Sequence, residues 1–285
     1  MVDIKRRVRE RRAYLRHGRA VRKRLRLWRL TGEGVRIRVR GGYVVTPLGR
    51  RLYVNPWDRR AQRLGVAGGV LAREVVTLWK TLVEELRPDL VVDIGANYGE
   101  VLLSGQYAPG TRLHAVEANP AILPLLEQSL REGLPDVVLH RGAASDESGV
   151  VDLRLGAESS GLSSVVRAAV GGSAVNVPAF RVDEVVTVRG GVGLFKLDVE
   201  GYELPVLRGM TGLLDALHDY AIVCELNPES APELGWLTQR HQVHLVSGRD
   251  GKRVAASLAE VRRHVTTWPG SGYRRDVLIC PHPRA

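Results

Sequence analysis

VVDIGANYGE, residues 91–100, decides the fold. A β-branched run carries an Asp, then Gly95 and Gly99, and a helical pattern starts behind them. That pattern reads as a strand running into a tight turn, with glycines where the backbone must come close to a ligand. The dinucleotide fingerprint places three glycines as G-x-G-x-x-G. Here the second of those positions is Asn97 and the third is Glu100. A carboxylate in the first turn of the helix expected at 98–106 repels a pyrophosphate, which needs that helix end for itself.

The turn therefore predicts a nucleoside ligand without phosphates. S-adenosylmethionine fits, with its sulfonium, amino acid and adenosine. Gly95 and Gly99 let the backbone approach it, and Asp93 favours its ammonium side.

Outward from the turn, strand and helix alternate, which predicts a parallel sheet. The expected strands are 90–94, 112–117, 137–140, 193–199, 220–226, 242–246 and 275–280. Expected helices cover 120–132, 203–216 and 255–264. A β-rich insertion, 149–155 and 175–181, surrounds the loop GAESSGLSS, where Ser159, Ser160, Ser163 and Ser164 offer an acceptor subsite or plain solvated polarity. Before the turn, 69–86 reads as an amphipathic helix and 35–40 as a strand opening a small β layer.

Ligands in open α/β sheets bind beyond the carboxyl ends of the strands. Strand two ends in Glu117, about 20 residues past the glycine turn, a spacing that suits two ribose hydroxyls. Strand three runs into RGAASDES, placing Asp146 where an adenine amino group can donate to it. In FKLDVEG, Lys196, Asp198 and Glu200 share one side of a central strand, with Glu203 one helical turn on. Such groups pair or work. Either they brace the sheet as an ion-pair network, or Asp198 or Glu200 takes a proton from an acceptor hydroxyl while Lys196 holds a carboxylate ionised or stabilises a developing alkoxide. Asp198, Glu225 and Asn227 also form a set of oxygen ligands at adjacent strand ends, a minor alternative that would hold Mg²⁺; the main reading has no metal.

Asp93-x-Gly95-x-Asn97-x-Gly99, Glu117-x-Asn119-Pro120, Arg181-Val182-Asp183 and FKLDVEGYELPVLRGM (195–210) resemble the FkbM family of S-adenosylmethionine-dependent methyltransferases. The resemblance spans roughly residues 85–230. It implies an α/β fold with a class I methyltransferase (Rossmann-like) seven-stranded sheet, helices on both faces and the last strand antiparallel. It implies O-methylation of a hydroxyl on a small metabolite, sugar or glycan. It also implies cofactor contacts at Asp93, Gly95, Asn97, Gly99, Glu117 and Asp146. In that architecture strand seven lies beside strand five, so Cys224 and Cys280 are expected close together yet reduced.

Composition bounds the rest. Residues 1–30 carry 13 Lys/Arg against two acids, a net +11, while the other 255 residues hold 29 of each sign. The basicity belongs to an arm, read as a helix over 3–30, and not to the pocket. The expected domains are that arm (1–30) and a methyltransferase domain (31–285), with a β segment at 31–68 and the core at 85–285. The arm caps the domain, or meets an acidic membrane surface, an acidic carrier protein or nucleic acid. Only Tyr14 and Trp28 interleave with its arginines, which disfavours base stacking. An RNA-binding or RNA-modifying enzyme using the arm is the rival reading. No run approaches the ~20 apolar residues of a membrane span, and no signal-peptide pattern opens the chain, so a cytoplasmic protein is expected.

Overall fold

The computed structural model describes residues 42–156, 159–166, 173–247, 252–267 and 273–282. The helix expected over 3–30 and the strand expected at 35–40 lie outside these residues.

The described chain opens with an antiparallel pair, β1 (Tyr43–Val45) and β2 (Arg51–Tyr53). Helix α1 (Arg59–Ala67) follows, capped by the Asp58 side chain, which accepts the Arg60 N–H at 2.9 Å. Helix α2 is Arg73–Leu86. A single helix from 69 was expected here. A Cβ on Gly69 would lie 2.4 Å from the Val45 carbonyl oxygen, and its φ is +85°, so Gly69 belongs to a turn folded onto β1. Helix α1 escapes a periodicity search because it buries only Ala61, Leu64 and Gly65.

The core elements then run in order: β3 (Leu90–Ile94), β4 (Arg112–Glu117), α3 (Leu123–Gly133), β5 (Val138–Arg141) and the short β6 (Ala143–Ala144). Next come β7 (Gly149–Arg154), β8 (Ala174–Phe180), α4 (Val182–Val185), β9 (Val192–Leu197), α5 (Glu203–Arg208), α6 (Thr211–Asp215) and β10 (Asp219–Glu225). The last are α7 (Leu234–Arg240), β11 (His241–Ser247), β12 (Arg253–Ala256), α8 (Leu258–Thr267) and β13 (Tyr273–Pro281).

The main sheet has the order β12-β11-β13-β10-β9-β3-β4-β5. Strands β5, β4, β3, β9 and β10 pair in parallel, and β13 is antiparallel to both of its neighbours, β10 and β11. All seven expected strands are present and the last in sequence is antiparallel. An eighth, β12, extends the edge. The helix expected from 255 starts only at Leu258, because Ser257 and Glu260 form a capping box: the Ser257 N–H donates to Glu260 Oε2 at 2.8 Å.

Helices on both faces bury β3 along its whole length. Leu90, Val92 and Ile94 join Phe195 and Leu197 in one core layer. Val91 packs with Trp79, Tyr98 and Leu194 in the other. Cys224 and Cys280 are both free thiols on adjacent strands. They do not face one another, since Cys224 lies opposite Val277 and belongs to the first layer, whereas Cys280 packs against the second. The helix expected at 98–106 is reduced to a 3-10 turn at Leu102–Ser104. A second, three-stranded sheet, β6-β8-β7, carries the insertion. No helix among the described residues is long and apolar enough to cross a membrane.

Candidate functional site

A cleft opens at the carboxyl ends of β3, β4 and β9, where the order of the sheet reverses about β3. It encloses about 690 Å³ of empty space, part of it open to solvent. Gly95, Asn97, Glu117, Asp198 and Glu200 all line it. Asp93, Gly99, Lys196 and Asp146 do not; they stand behind its walls or beyond its rim. The wall after β5 is Gly142, Ala143 and Ala144. Asp146 follows it, with its carbonyl accepting Arg181 Nη1 at 2.9 Å and its carboxylate accepting the Ser145 hydroxyl at 3.3 Å.

The turn after β3 is left-handed three times: Gly95 at φ 75°, Asn97 at 50° and Gly99 at 83°. Gly95 has no room for a side chain, since a Cβ would come within 1.9 Å of the Asp198 carbonyl oxygen. Asn97 tolerates the left-handed region better than most residues. Its N–H donates to Glu117 Oε2 at 2.7 Å, and the Asn119 N–H donates to Oε1 at 2.8 Å. Glu117 is therefore fixed in place at the cleft wall. Burial pushes its pKa up, and the two N–H bonds hold it back.

Behind the turn, Lys196 Nζ donates to the Gly95 carbonyl at 2.7 Å and stands 3.5 Å from both Asp93 and Asp198. Burial lowers the Lys196 pKa, but the Asp198 and Asp93 carboxylates more than offset this, so it remains an ammonium. Asp93 is fully buried, and neither of its oxygens has a hydrogen-bond partner among the described residues. Burial raises its pKa, with Lys196 opposing. Asp198 is the exposed member of the trio, with 29% of its side chain open. Glu203 does not join the group in the cleft. It turns back to accept the Val199 and Gly201 N–H groups at 3.2 and 3.0 Å, bracing the loop that holds Glu200 at φ 55°.

Glu100 also departs from expectation. Its carboxylate points away from the turn and accepts the Leu71 and Ala72 N–H groups at 2.5 and 2.8 Å, just ahead of α2. Arg60 Nη2 reaches its other oxygen at 3.3 Å. Glu100 thus stabilises a helix start, and it does not meet a ligand at the turn.

Several cleft residues carry no motif in the sequence. Arg60 lines the cleft from α1, and Ser160, Ser163 and Ser164 line it from the insertion. Asn97 Nδ2 donates to Ser160 Oγ at 3.2 Å, Asn119 Nδ2 donates to Ser163 Oγ at 3.3 Å, and Ser164 Oγ donates to the Glu200 carbonyl at 2.8 Å. The serine loop thus spans all three strand ends. The one available signal for α1 was Asp58 ahead of a polar helix, a plain cap pattern.

The oxygen set Glu225 and Asn227 is already held by a cation of the chain itself. Arg275 on β13 pairs with Glu225 at 2.9 Å and donates to Asn227 Oδ1. Burial, followed by the charge of Asp198, pushes Glu225 up to about 8. No group of three or more His, Cys, Asp or Glu suited to a metal occurs among the described residues.

The sequence model of the Methyltransferase FkbM domain matches residues 93–259. No curated protein matches the chain. Among solved structures, a precorrin-8W decarboxylase of Methanobacterium thermoautotrophicum is 18% identical, with 74% of this chain and 89% of that one covered and a TM-score of 0.37. An rRNA methylase of Streptococcus thermophilus is 14% identical, covering 74% and 96%, at 0.40. The O-methyltransferase TomG of Streptomyces achromogenes, solved with S-adenosylmethionine, is 11% identical, covering 75% and 82%, also at 0.40. Overlaps this loose carry no argument about the acceptor.

Proposed function

The chain belongs to the FkbM methyltransferase family, and from that premise we propose that it methylates a hydroxyl of a small metabolite or sugar, using S-adenosylmethionine bound in the cleft. The observation that carries this reading is Glu117, whose buried carboxylate lines the cleft and is aimed by the backbone N–H groups of Asn97 and Asn119. A ribose diol supplies the two matching donors.

The rest of the cleft suits the same ligand. The Gly142–Ala144 wall offers an apolar face to a flat base, with Asp146 next in line for an exocyclic amine. Gly95 lets the ligand reach the backbone. Bound there, S-adenosylmethionine supplies an electrophilic methyl group whose transfer leaves a neutral thioether. Asp198, the accessible carboxylate, takes the proton of the acceptor hydroxyl, with Glu200 the alternative base. Lys196 stands 3.5 Å from Asp198 and from Asp93 and balances the charge buried on Asp93.

Calorimetry with S-adenosylhomocysteine tests the assignment. Glu117→Ala is expected to weaken binding at least ~100-fold, since two hydrogen bonds to a charged acceptor are worth about 1.5–3 kcal/mol each. Near-normal affinity in a folded Glu117→Ala protein, or NAD occupying the cleft of the unaltered chain, would overturn it.

A further inference from the structure

The family match begins at Asp93, yet the cleft wall is completed by a residue outside it, Arg60 on α1. Its helix is anchored at the cleft through Asp58. That carboxylate caps α1 and also accepts the Tyr98 hydroxyl at 2.6 Å, the Ser160 N–H at 3.1 Å and the Ser160 hydroxyl at 2.5 Å. Tyr98 belongs to the glycine turn and Ser160 to the loop over the cleft, so the base of the Arg60 side chain is fixed relative to both.

The guanidinium is under-used. One Nη2 contact goes to Glu100, whose other oxygen already accepts two backbone N–H groups. Arg60 Nε is buried with no hydrogen-bond partner among the described residues. A buried donor left unpaired costs free energy that a ligand acceptor recovers. The other charged cleft residues are carboxylates: Glu117, Asp198 and Glu200. Among the described residues, the Lys196 ammonium behind the turn is engaged by Gly95, Asp93 and Asp198.

S-adenosylmethionine carries one anionic group, the α-carboxylate of its amino-acid end. We propose that Arg60 binds this carboxylate, with Nε–H and a second guanidinium N–H donating to its two oxygens as a parallel pair. The assignment rests on the reading that S-adenosylmethionine occupies the cleft. It makes the segment ahead of the family match part of the cofactor site.

The test compares two probes by calorimetry, S-adenosylhomocysteine and its decarboxylated analogue, on the full chain and on Arg60→Met. The full chain is expected to prefer S-adenosylhomocysteine by about 10- to 100-fold, the worth of one charged hydrogen-bonding partner. Arg60→Met is expected to lose that preference while holding the analogue within about twofold of the unaltered chain. Equal weakening of both probes, or a preference that survives in Arg60→Met, overturns the assignment and leaves the cofactor reading standing. An unaltered chain that binds neither probe overturns the cofactor reading itself. Arg60→Lys serves where the Met variant fails to fold. It keeps the charge without the paired geometry, so it should retain only part of the preference; full preference there would refute the paired contact.

Discussion

Replacing Lys196 with Met tests whether the Lys196–Asp93–Asp198 trio is held together by charge. Asp93 is fully buried and has no hydrogen-bond partner among the described residues; its compensation is the Lys196 ammonium at 3.5 Å. Met keeps most of the side-chain length and removes the charge. An ion stranded by loss of a buried partner costs about 3–5 kcal/mol. In a domain of this size ~1 kcal/mol moves Tm by about 2–4 °C, so Lys196→Met should melt roughly 6–20 °C lower. The deficit must depend on pH. Burial already raises the Asp93 pKa, and losing Lys196 raises it further, so the folded variant holds that proton more tightly than the unfolded chain. Stability is then retained at acid pH and lost as pH rises from the ordinary carboxylate range through the raised value. Urea denaturation should show the gap between variant and parent narrowing towards about pH 5 and widening towards about pH 8. The double variant Lys196→Met/Asp93→Asn should lose much less than the two single variants together. A deficit below ~1 kcal/mol at every pH, or additive losses in the double variant, would show that the trio is not electrostatically coupled.

Three further outcomes are expected. Asp198→Asn should cut turnover by about 100-fold or more while leaving S-adenosylhomocysteine affinity within a few-fold; unchanged turnover moves the proton acceptor elsewhere. Gly95→Ala should fail to fold or melt far below the parent, because its Cβ meets the Asp198 carbonyl and its φ is +75°; a parent-like melting curve would mean the turn is looser than described. Glu225, pushed up to about 8 by burial and then by Asp198, makes the fold lose stability as pH rises from the ordinary carboxylate range through about 8. Urea denaturation should show that decline, and Glu225→Gln should flatten it; an unflattened decline assigns the titration to another group.

The sheet was legible because each core strand is a short apolar or β-branched run closed by polar residues at its carboxyl end. FKLDVEG and VVDIGAN both announce a strand and the polar residues at its carboxyl end together. What escaped was set by tertiary contact. Gly69 stops a helix because it folds onto Val45, a contact invisible to periodicity. Glu100 lies where a phosphate-repelling charge belongs in sequence, yet Leu71 and Ala72 draw it away. Glu203 carries the right chemistry at the right spacing but spends it on its own loop. Arg275 is one of 37 arginines, and only the antiparallel placement of β13 brings it to Glu225. Residue type predicted the ends of strands well; it could not say which carboxylates were already claimed by backbone N–H groups.

The position of β13 bears on how the protein is made. This strand comes last among the described elements, yet it lies inside the sheet, between β10 and β11. Until residues 273–281 have left the ribosome, the β11–β12 pair has no seat on the sheet and β10 presents an open flank. Strands β3, β4, β5, β9 and β10 can assemble during synthesis, but the edge stays exposed to mispairing until the final insertion. Nascent chains stalled before β13 emerges should therefore be substrates for chaperones.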